Sequence, residues 1–365
     1  MLKRLLFLTL PSLFGCFLCG ELFFRFVVPA AAMPWGYYDP SDHIARFELG
    51  QGSGVYTIGR FADQRGTWRI NNMGWNSDID YAPRSKTSKP LIAVLGDSYV
   101  EALQVNTNAS LVSVLRDKVR GQYDVYGFGK SGAPLSQYLQ MSRYANKQFN
   151  PAVIVINVVH NDFDESLLSV RNFPYFVGID MKSGHPLESP LSEVAIRAKT
   201  RTKTFLASAI VRYLWLNLGL GAALTERSVI RDETKALPEQ GMLNASHSEQ
   251  ADIRSDVYKA ADYVISKFKE ENPGKELVFM IDAPRKDIYE GTIGKSNVLW
   301  MNKLLKDLTE RHGCRFIDLT EPFNAKYRRD HVRLSGEHDY HWNEEGHRYA
   351  AEILYRNLVA FQIAH

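Results

Sequence analysis

A serine at residue 98 lies near the end of the segment LIAVLGDSY at residues 91–99. This segment begins with a short apolar run that is typical of a buried strand. In an open α/β sheet, reacting groups gather at the carboxyl ends of strands, because the loops and helix N-termini there supply hydrogen-bond donors around one crevice. Ser98 is therefore the first candidate for a nucleophile. A Gly-Asp-Ser sequence also forms ordinary turns, so this interpretation depends on matching residues further along the chain.

Three further segments occur in order. They are the glycine-rich run YGFGKSGAP at residues 126–134, the apolar run VIVINVVHND at residues 153–162, and HDYHWN at residues 338–343. Together, the Ser, Gly, Asn and His motifs resemble the SGNH hydrolases, the GDSL-type esterase superfamily. The resemblance covers about the C-terminal three quarters of the chain. Four motifs in the expected order are far more specific than any one of them.

The resemblance implies roles for five residues. Ser98 is expected to be the nucleophile, His341 the general base, and Asp339 the group that orients His341. The backbone N–H groups of Ser98 and Gly132 and the side-chain amide of Asn161 are expected to form the oxyanion hole. These roles suit the chemistry, because a serine hydroxyl needs a neutral imidazole to take its proton and the imidazole needs an acceptor to fix its tautomer. The negative oxygen of the tetrahedral intermediate needs aimed donors.

The chain departs from the family pattern at three positions. Tyr99 follows the serine where Leu is usual, and Val159 stands where the third motif normally has Gly. Asp339 precedes His341 by two positions, where many members have three. This spacing leaves Glu337 or a backbone carbonyl as alternative partners for the histidine.

Metal binding is an alternative use of the C-terminal cluster, which contains four residues of metal-ligating types: His338, Asp339, His341 and His347. The first and third of these lie outside a clear helical spacing, and no cysteine joins them. We therefore predict neither a metal ion nor a cofactor.

The composition excludes several classes of protein. The 44 basic and 41 acidic residues give a net charge of +3. This nearly balanced charge gives no indication of nucleic-acid binding. Two of the three cysteines, Cys16 and Cys19, lie in the N-terminal apolar stretch, and Cys314 has no partner in the remaining chain. The sequence therefore implies no disulfide framework.

The N-terminus predicts a membrane anchor. Two basic residues precede an apolar stretch at residues 5–28, where Glu21 and Arg25 are the only charges. As a helix the stretch would be about 36 Å long, and its two charges are spaced to pair with each other. Basic residues before the span predict an N-in, C-out orientation, hence a single-pass protein of the bacterial inner membrane with its catalytic domain in the periplasm or outside the cell.

Two competing hypotheses concern the same stretch. Cleavage after the AAA run at residues 30–32 would make it a signal peptide, and lipidation at Cys16 is a weaker alternative because Phe14 fits a lipobox poorly. Both of them also place the catalytic domain outside the cytoplasm.

The remaining chain predicts an α/β fold with a parallel sheet and helices on both faces, preceded by the transmembrane helix. The resemblance implies that this fold is the flavodoxin-like three-layer sandwich of SGNH hydrolases. We expect a signal anchor at residues 1–32, an extension with short strands at 33–90, and a hydrolase domain at 91–365. Apolar residues at helical spacing come after the strands, and Asn343 with two following glutamates predicts the N-cap of the last helix. Strands are predicted at residues 91–95, 123–126, 152–158, 277–282 and 315–318.

A long insertion interrupts the domain at about residues 164–252. Within it, residues 205–220 are apolar over a length that could pass for a second transmembrane helix. One additional crossing would place Ser98 and His341 in different compartments. We therefore expect this segment to pack over the active site or to lie on the membrane surface, with a plain core helix as the alternative.

These features predict a serine esterase that acts on ester-linked acyl groups, with O-acetyl groups of an envelope or secreted polysaccharide as the favoured substrate. A polysaccharide O-acetyltransferase with the same triad is the nearest alternative, and a membrane acyltransferase partner would favour it. An esterase of lipids or long acyl chains comes next. A non-catalytic carbohydrate-binding accessory protein is a further alternative, against which the intact Ser98, Asn161 and His341 argue.

Overall fold

The computed structural model describes residues 5–83, 85, 89–171, 175–189, 205–220 and 247–364. Its strands are β1 (Gly36–Asp39), β2 (Ile44–Phe47), β3 (Ser53–Ile58), β4 (Gln64–Arg69), β5 (Leu91–Gly96), β6 (Asp124–Gly129), β7 (Val153–Val158), β8 (Ile179–Asp180), β9 (Leu187–Glu188), β10 (Glu276–Ile281) and β11 (Arg315–Asp318). Its α-helices are α1 (Leu10–Phe26), α2 (Ser98–Glu101), α3 (Leu111–Lys118), α4 (Leu135–Gln148), α5 (Asn161–Asp164), α6 (Ala209–Arg212), α7 (His247–Glu271), α8 (Arg285–Glu290), α9 (Leu299–Arg311), α10 (Thr320–Asp330) and α11 (Glu344–Ala360).

Five parallel strands form the central sheet, in the order β6-β5-β7-β10-β11. The chain passes from β5 to its neighbour β6 and then crosses back to β7 on the other side of β5. In flavodoxin-like sheets this reversal opens a crevice at the carboxyl ends of the strands. The predicted fold class is confirmed, as are all five predicted strands, although β6 continues to Gly129.

Both faces of the sheet are buried. In β5, Ala93 and Leu95 pack on one face, whereas Ile92 and Val94 pack on the other. Helices α4, α7 and α9 contribute to the first core, and α3, α10 and α11 contribute to the second. This double burial explains why the strands appear in the sequence as continuous apolar runs rather than as alternating patterns.

The N-terminal part contains α1 and two antiparallel hairpins, β1–β2 and β3–β4. Residues following β4 pack against the edge of the sheet at β6: Trp75 is fully buried and meets Phe128 edge to face at 5.3 Å, and Tyr81 stacks on Tyr126 at 4.1 Å. Four short strands therefore lie between α1 and β5, and the residues after them pack on the edge of the central sheet.

Among the described residues, one helical stretch, Phe7–Val27, is long and apolar enough to cross a membrane. It includes α1 and the last residues of a preceding π-helical turn at Leu5–Thr9. The insertion expected at residues 164–252 lies partly outside the described residues. Its described parts include the β8–β9 hairpin, and α6 with the π-helical turn Tyr213–Asn217 that continues it.

The last residue of β6 touches α2 so closely that only glycine fits there. A Cβ atom on Gly129 would lie 2.1 Å from the backbone nitrogen of Glu101, so Gly129→Ala must displace either β6 or α2. Overpacking of this kind typically costs about 1–3 kcal/mol. We expect a matching loss in the free energy of unfolding, measured by chemical denaturation of the full chain in detergent.

Gly294→Ala is the matched control, because a Cβ atom there meets nothing within 4 Å. Its effect should stay within about 0.5 kcal/mol. Equal denaturation midpoints for the two variants would contradict the close approach of β6 and α2.

Candidate active site

Ser98 is the first residue of α2, directly after β5, at the crevice where the sequence predicts it. Asp97 caps this short helix, since its carboxylate accepts the backbone N–H of Tyr99 at 2.9 Å. Only 8% of Ser98 is exposed. Because β5 lies between β6 and β7, the loops after both neighbouring strands flank the serine.

His341 reaches Ser98 from the loop before α11. Its Nε2 atom lies 2.7 Å from the Ser98 hydroxyl oxygen, a hydrogen bond between residues 243 positions apart. On the other side of the ring, Nδ1 lies 3.1 Å from the Asp339 carboxylate. Asp339 also accepts the backbone N–H of His341 at 3.3 Å. The three side chains therefore form a line of serine hydroxyl, imidazole and carboxylate, in the order that activation of a serine hydroxyl by a base requires.

The two-residue spacing between Asp339 and His341 is compatible with this contact. Glu337, the alternative partner left open by the sequence, is exposed to solvent, while Asp339 occupies the Nδ1 side of the ring. The geometry thus favours Asp339 as the acceptor.

Gly132 and Asn161 lie on the two flanking loops. Gly132 follows β6 and has a positive φ of 76°, a backbone conformation that glycine adopts without strain. Asn161 follows β7 and opens α5. Its side chain hydrogen-bonds the carboxyl of Glu165, whose pKa is raised to about 7 by burial. Since an amide nitrogen carries two hydrogens, this bond can orient the Asn161 side chain and still leave a donor for a ligand.

The model of the GDSL-like lipase/acylhydrolase family matches residues 94–349. The chain belongs to this family. The resemblance to SGNH hydrolases is therefore confirmed, and the protein is a serine hydrolase that acts on esters. No curated protein matches the chain.

Solved structures similar to this acylhydrolase have low sequence identity. A member of the lipolytic G-D-S-L family from Veillonella parvula is 12% identical, with 74% of this chain and 98% of that chain covered and a TM-score of 0.40. The lipase/acylhydrolase from Enterococcus faecalis is 11% identical, with 74% and 95% covered and a TM-score of 0.40. The acetyl xylan esterase AlAXEase is 13% identical, with 73% and 99% covered and a TM-score of 0.37.

A buried polar network holds residues 331–343 of the acylhydrolase, the loop that carries His341, which we call the histidine loop. The Tyr99 hydroxyl donates to the backbone carbonyl of Tyr340 at 3.1 Å and accepts a hydrogen bond from Arg285. Arg285, only 1% exposed, pairs with Asp282 at 2.9 Å. Asp282 in turn accepts the indole N–H of Trp342 at 2.9 Å. The residues on both sides of His341 are thus tied to the end of β10.

Sequence reasoning missed this network. Asp282 lies one residue after β10, the same strand-end position that singled out Ser98 and Asn161, so a usable signal was present. Tyr99, noted only as a departure from the family pattern, is the residue that connects the serine helix to the histidine loop. In contrast, the predicted N-cap of the last helix is confirmed, because the Asn343 side chain accepts the Gly346 N–H at 2.8 Å.

A second polar cluster holds the loop that carries Gly132. The buried Glu101 carboxylate pairs with Lys130 at 2.9 Å and accepts the backbone N–H of Ser131 at 3.1 Å. The Ser131 hydroxyl donates to the same carboxylate. Lys130 is therefore an ion-paired residue of this loop.

The C-terminal histidines have separate surroundings. His347 is buried beside Trp342 and accepts the backbone N–H of Leu111 at 3.2 Å, and burial lowers its pKa to about 3. His338 lies 3.4 Å from Asp63 in the β3–β4 hairpin. Within the part of the chain that the structure describes, no group of three His, Cys, Asp or Glu residues could hold a metal ion.

Burial raises the pKa of Asp97 to about 6, from the ordinary value of 3.8. Because the folded-state pKa is the higher one, the contribution of this carboxyl to stability is complete below about pH 4 and is lost as the pH rises through 6. Asp97→Asn removes the ionisation and keeps an acceptor for the Tyr99 N–H. We expect the variant to be more stable than the wild type at about pH 7.5, by up to about 3 kcal/mol, and equally stable near pH 4.

Thermal unfolding of the full chain in detergent at both pH values measures this difference. Asp117→Asn, at an exposed position of α3, is the control for a general charge effect. A difference between Asp97→Asn and the wild type that does not change with pH would contradict the buried ionisation.

Proposed function

We propose that this acylhydrolase is a membrane-anchored, extracytoplasmic esterase that removes O-acetyl groups from an envelope or secreted polysaccharide. The observation that carries the proposal is the line of contacts from Ser98 through His341 to Asp339, with distances of 2.7 and 3.1 Å. Ser98 is the nucleophile, His341 the general base, and Asp339 the acceptor that fixes the histidine tautomer. The family membership disfavours the alternative of a non-catalytic binding protein.

The proposed reaction has two halves. His341 takes the hydroxyl proton as the Ser98 oxygen attacks the ester carbonyl, and the resulting imidazolium gives the proton to the departing sugar hydroxyl. The acetyl group then stays on Ser98 as an ester. In the second half His341 activates water, which attacks the acyl-serine and releases acetate, while the proton returns to Ser98.

The oxyanion of each tetrahedral intermediate needs donors placed in advance. We assign these to the backbone N–H groups of Ser98 and Gly132 and to the Asn161 amide. The positions of these residues after β5, β6 and β7 support the assignment, because the three strands are neighbours in the sheet. Glu101 and Glu165 act as positioning residues that hold the Gly132 loop and the Asn161 side chain.

An exposed aromatic residue at the site supports a glycan substrate. Tyr340 precedes His341 and is 47% exposed, although its backbone is held by Tyr99. An exposed aromatic ring with one polar edge on a held backbone suits a ligand that is apolar on one face and rich in hydroxyl groups on the other.

We assign residues 1–32 to a signal anchor, residues 33–90 to the extension, and residues 91–365 to the hydrolase domain. Phe7–Val27 would span the inner membrane, and the basic residues before it favour a cytoplasmic N-terminus. In this topology Ser98 and His341 both lie in the periplasm.

The first test is hydrolysis of a series of esters, from acetyl to palmitoyl, together with acetylated polysaccharides, by the full chain in detergent. We expect the acetyl esters to be the best substrates. Ser98→Ala should abolish turnover, because it removes the attacking oxygen, and should also abolish labelling by a fluorophosphonate. Ser183→Ala, at an exposed position of the β8–β9 turn, should behave like the wild type.

Two results would change this assignment. Activity retained by Ser98→Ala would exclude Ser98 as the nucleophile. Transfer of the acetyl group to an added oligosaccharide in preference to water would make the protein an O-acetyltransferase with the same triad.

The second test concerns the orienting acid. Asp339→Asn should lower kcat by up to about 10⁴-fold, because an asparagine can hold the wrong histidine tautomer and cannot stabilise the imidazolium. Glu337→Gln is the matched control, since this side chain is exposed two residues away, and its kcat should stay close to that of the wild type. Steady-state kinetics on the best ester measure both, and equal small losses would instead indicate a backbone acceptor for His341.

A further inference from the structure

We propose that five exposed apolar side chains form a membrane-docking face that contacts the lipid bilayer beside the anchor helix and holds the Ser98 site at the membrane surface. The face comprises Phe61, Phe205, Leu214, Leu218 and Leu220. This inference rests on the proposed membrane anchor and adds to the proposed function, because it implies an acyl ester presented at the bilayer surface.

The first support is the contact between the anchor and the insertion. The Glu21 carboxylate accepts the Ser208 hydroxyl at 2.8 Å and the backbone N–H of Ala209 at 2.8 Å, so it caps the start of α6. Phe24 stacks on Tyr213 with ring centroids 4.0 Å apart. Arg25 completes the cluster with an ion pair to Glu21. The two charged residues within the span Phe7–Val27 are therefore satisfied within the protein, as charges near hydrocarbon must be.

These contacts define the depth in the membrane of residues 205–220, which we call the insertion segment. Glu21 precedes the end of the span at Val27 by about 9 Å of helix. Interfacial helices lie about 5–10 Å into the boundary between headgroups and acyl chains. The start of α6, fixed against Glu21, is thus at the depth of the interface.

The exposure of the segment agrees with this depth. Of residues 205–220 only Ala209 is buried, so the alternative of a plain core helix is wrong. Phe205 is 52% exposed, and the three leucines of the docking face are each exposed by at least 40%. A cluster of large apolar side chains on a surface marks an interaction site, and its continuity with the exposed apolar surface of α1 identifies the bilayer as the partner.

The hairpin β3–β4 adds Phe61, which is 73% exposed at the tip between two strands. Two hydrogen bonds fix the tip to the insertion segment: Tyr213 donates to the Arg60 carbonyl at 2.8 Å, and Asn217 donates to the Gly59 carbonyl at 3.2 Å. Arg60 is itself exposed. An exposed aromatic residue beside an exposed arginine suits the headgroup region of an anionic membrane.

The same hairpin touches the histidine loop. Asp63 lies 3.4 Å from His338. The Gln64 side chain packs so closely against Gly336 that a Cβ atom on Gly336 would lie 2.4 Å from the Gln64 side-chain oxygen. The anchor, the insertion segment, the hairpin tip and the His341 loop are therefore consecutive neighbours. A site connected in this way opens close to the membrane surface.

Photolabelling of the unaltered full chain tests the proposal. The chain is reconstituted in vesicles of phosphatidylethanolamine and phosphatidylglycerol that contain a phospholipid with a diazirine either in the acyl chain or on the headgroup. After irradiation, tryptic peptides are quantified by mass spectrometry. We expect the acyl-chain probe to label the peptides that contain Phe61 and residues 205–220, and the headgroup probe to label the peptide that contains Tyr340.

The peptide that contains Leu187 is the matched control, because this leucine is 56% exposed and lies in the β8–β9 hairpin. Its neighbour Glu188 is bound by Arg143, which also binds Glu271 at the end of α7, so the hairpin is held by α4 next to the end of α7. Labelling of the Phe61 and 205–220 peptides several-fold above this control supports the docking face. Labelling no higher than the control overturns it.

The headgroup probe decides the position of the site. Labelling of the Tyr340 peptide no higher than that of the Leu187 peptide would separate the site from the bilayer and overturn the proposal. Photolabelling needs no turnover, so a protein that binds lipid as expected but hydrolyses no ester would contradict only the proposed function.

Discussion

The hydrogen bond between Ser98 and His341 is the constraint on which the structure depends, because it joins residues 243 positions apart in the chain. A serine becomes a nucleophile only when a base lies within hydrogen-bond distance of its hydroxyl. The sheet brings Ser98 to the crevice at the carboxyl end of β5. The loop before α11 must then bring His341 to the same point, which explains the polar contacts concentrated around that loop.

The network of Tyr99, Arg285 and Asp282 serves this purpose at an energetic cost. Burying an ion pair requires the desolvation of both charges, and the cost is recovered only when further hydrogen bonds satisfy the remaining donors and acceptors. Arg285 donates to Asp282, Tyr99 and Ser335, while Asp282 also accepts from Trp342. A network satisfied in this way specifies one position of the histidine loop, because any shift of the loop would remove hydrogen-bond partners from the buried ion pair and from Tyr99.

The residues between α1 and β5 link the site to the N-terminal helix. They pack on the sheet edge through Trp75 and Tyr81, and the β3–β4 hairpin lies between residues 205–220 and the histidine loop. Consequently the orientation of the site relative to α1 depends on folded contacts.

The sequence by itself determined the parallel sheet, the strand ends that carry Ser98 and Asn161, the cap at Asn343, and the apolar stretch at the N-terminus. These features result from local periodicity and from the preferences of single residues at strand and helix ends, which nearest neighbours largely decide. Only the tertiary structure decided that Asp339 and not Glu337 meets His341, that Lys130 pairs with Glu101, and that the segment at 205–220 lies against α1. Each of these depends on which side chains long-range packing brings within a few ångströms of one another, and sequence spacing carries no such distance.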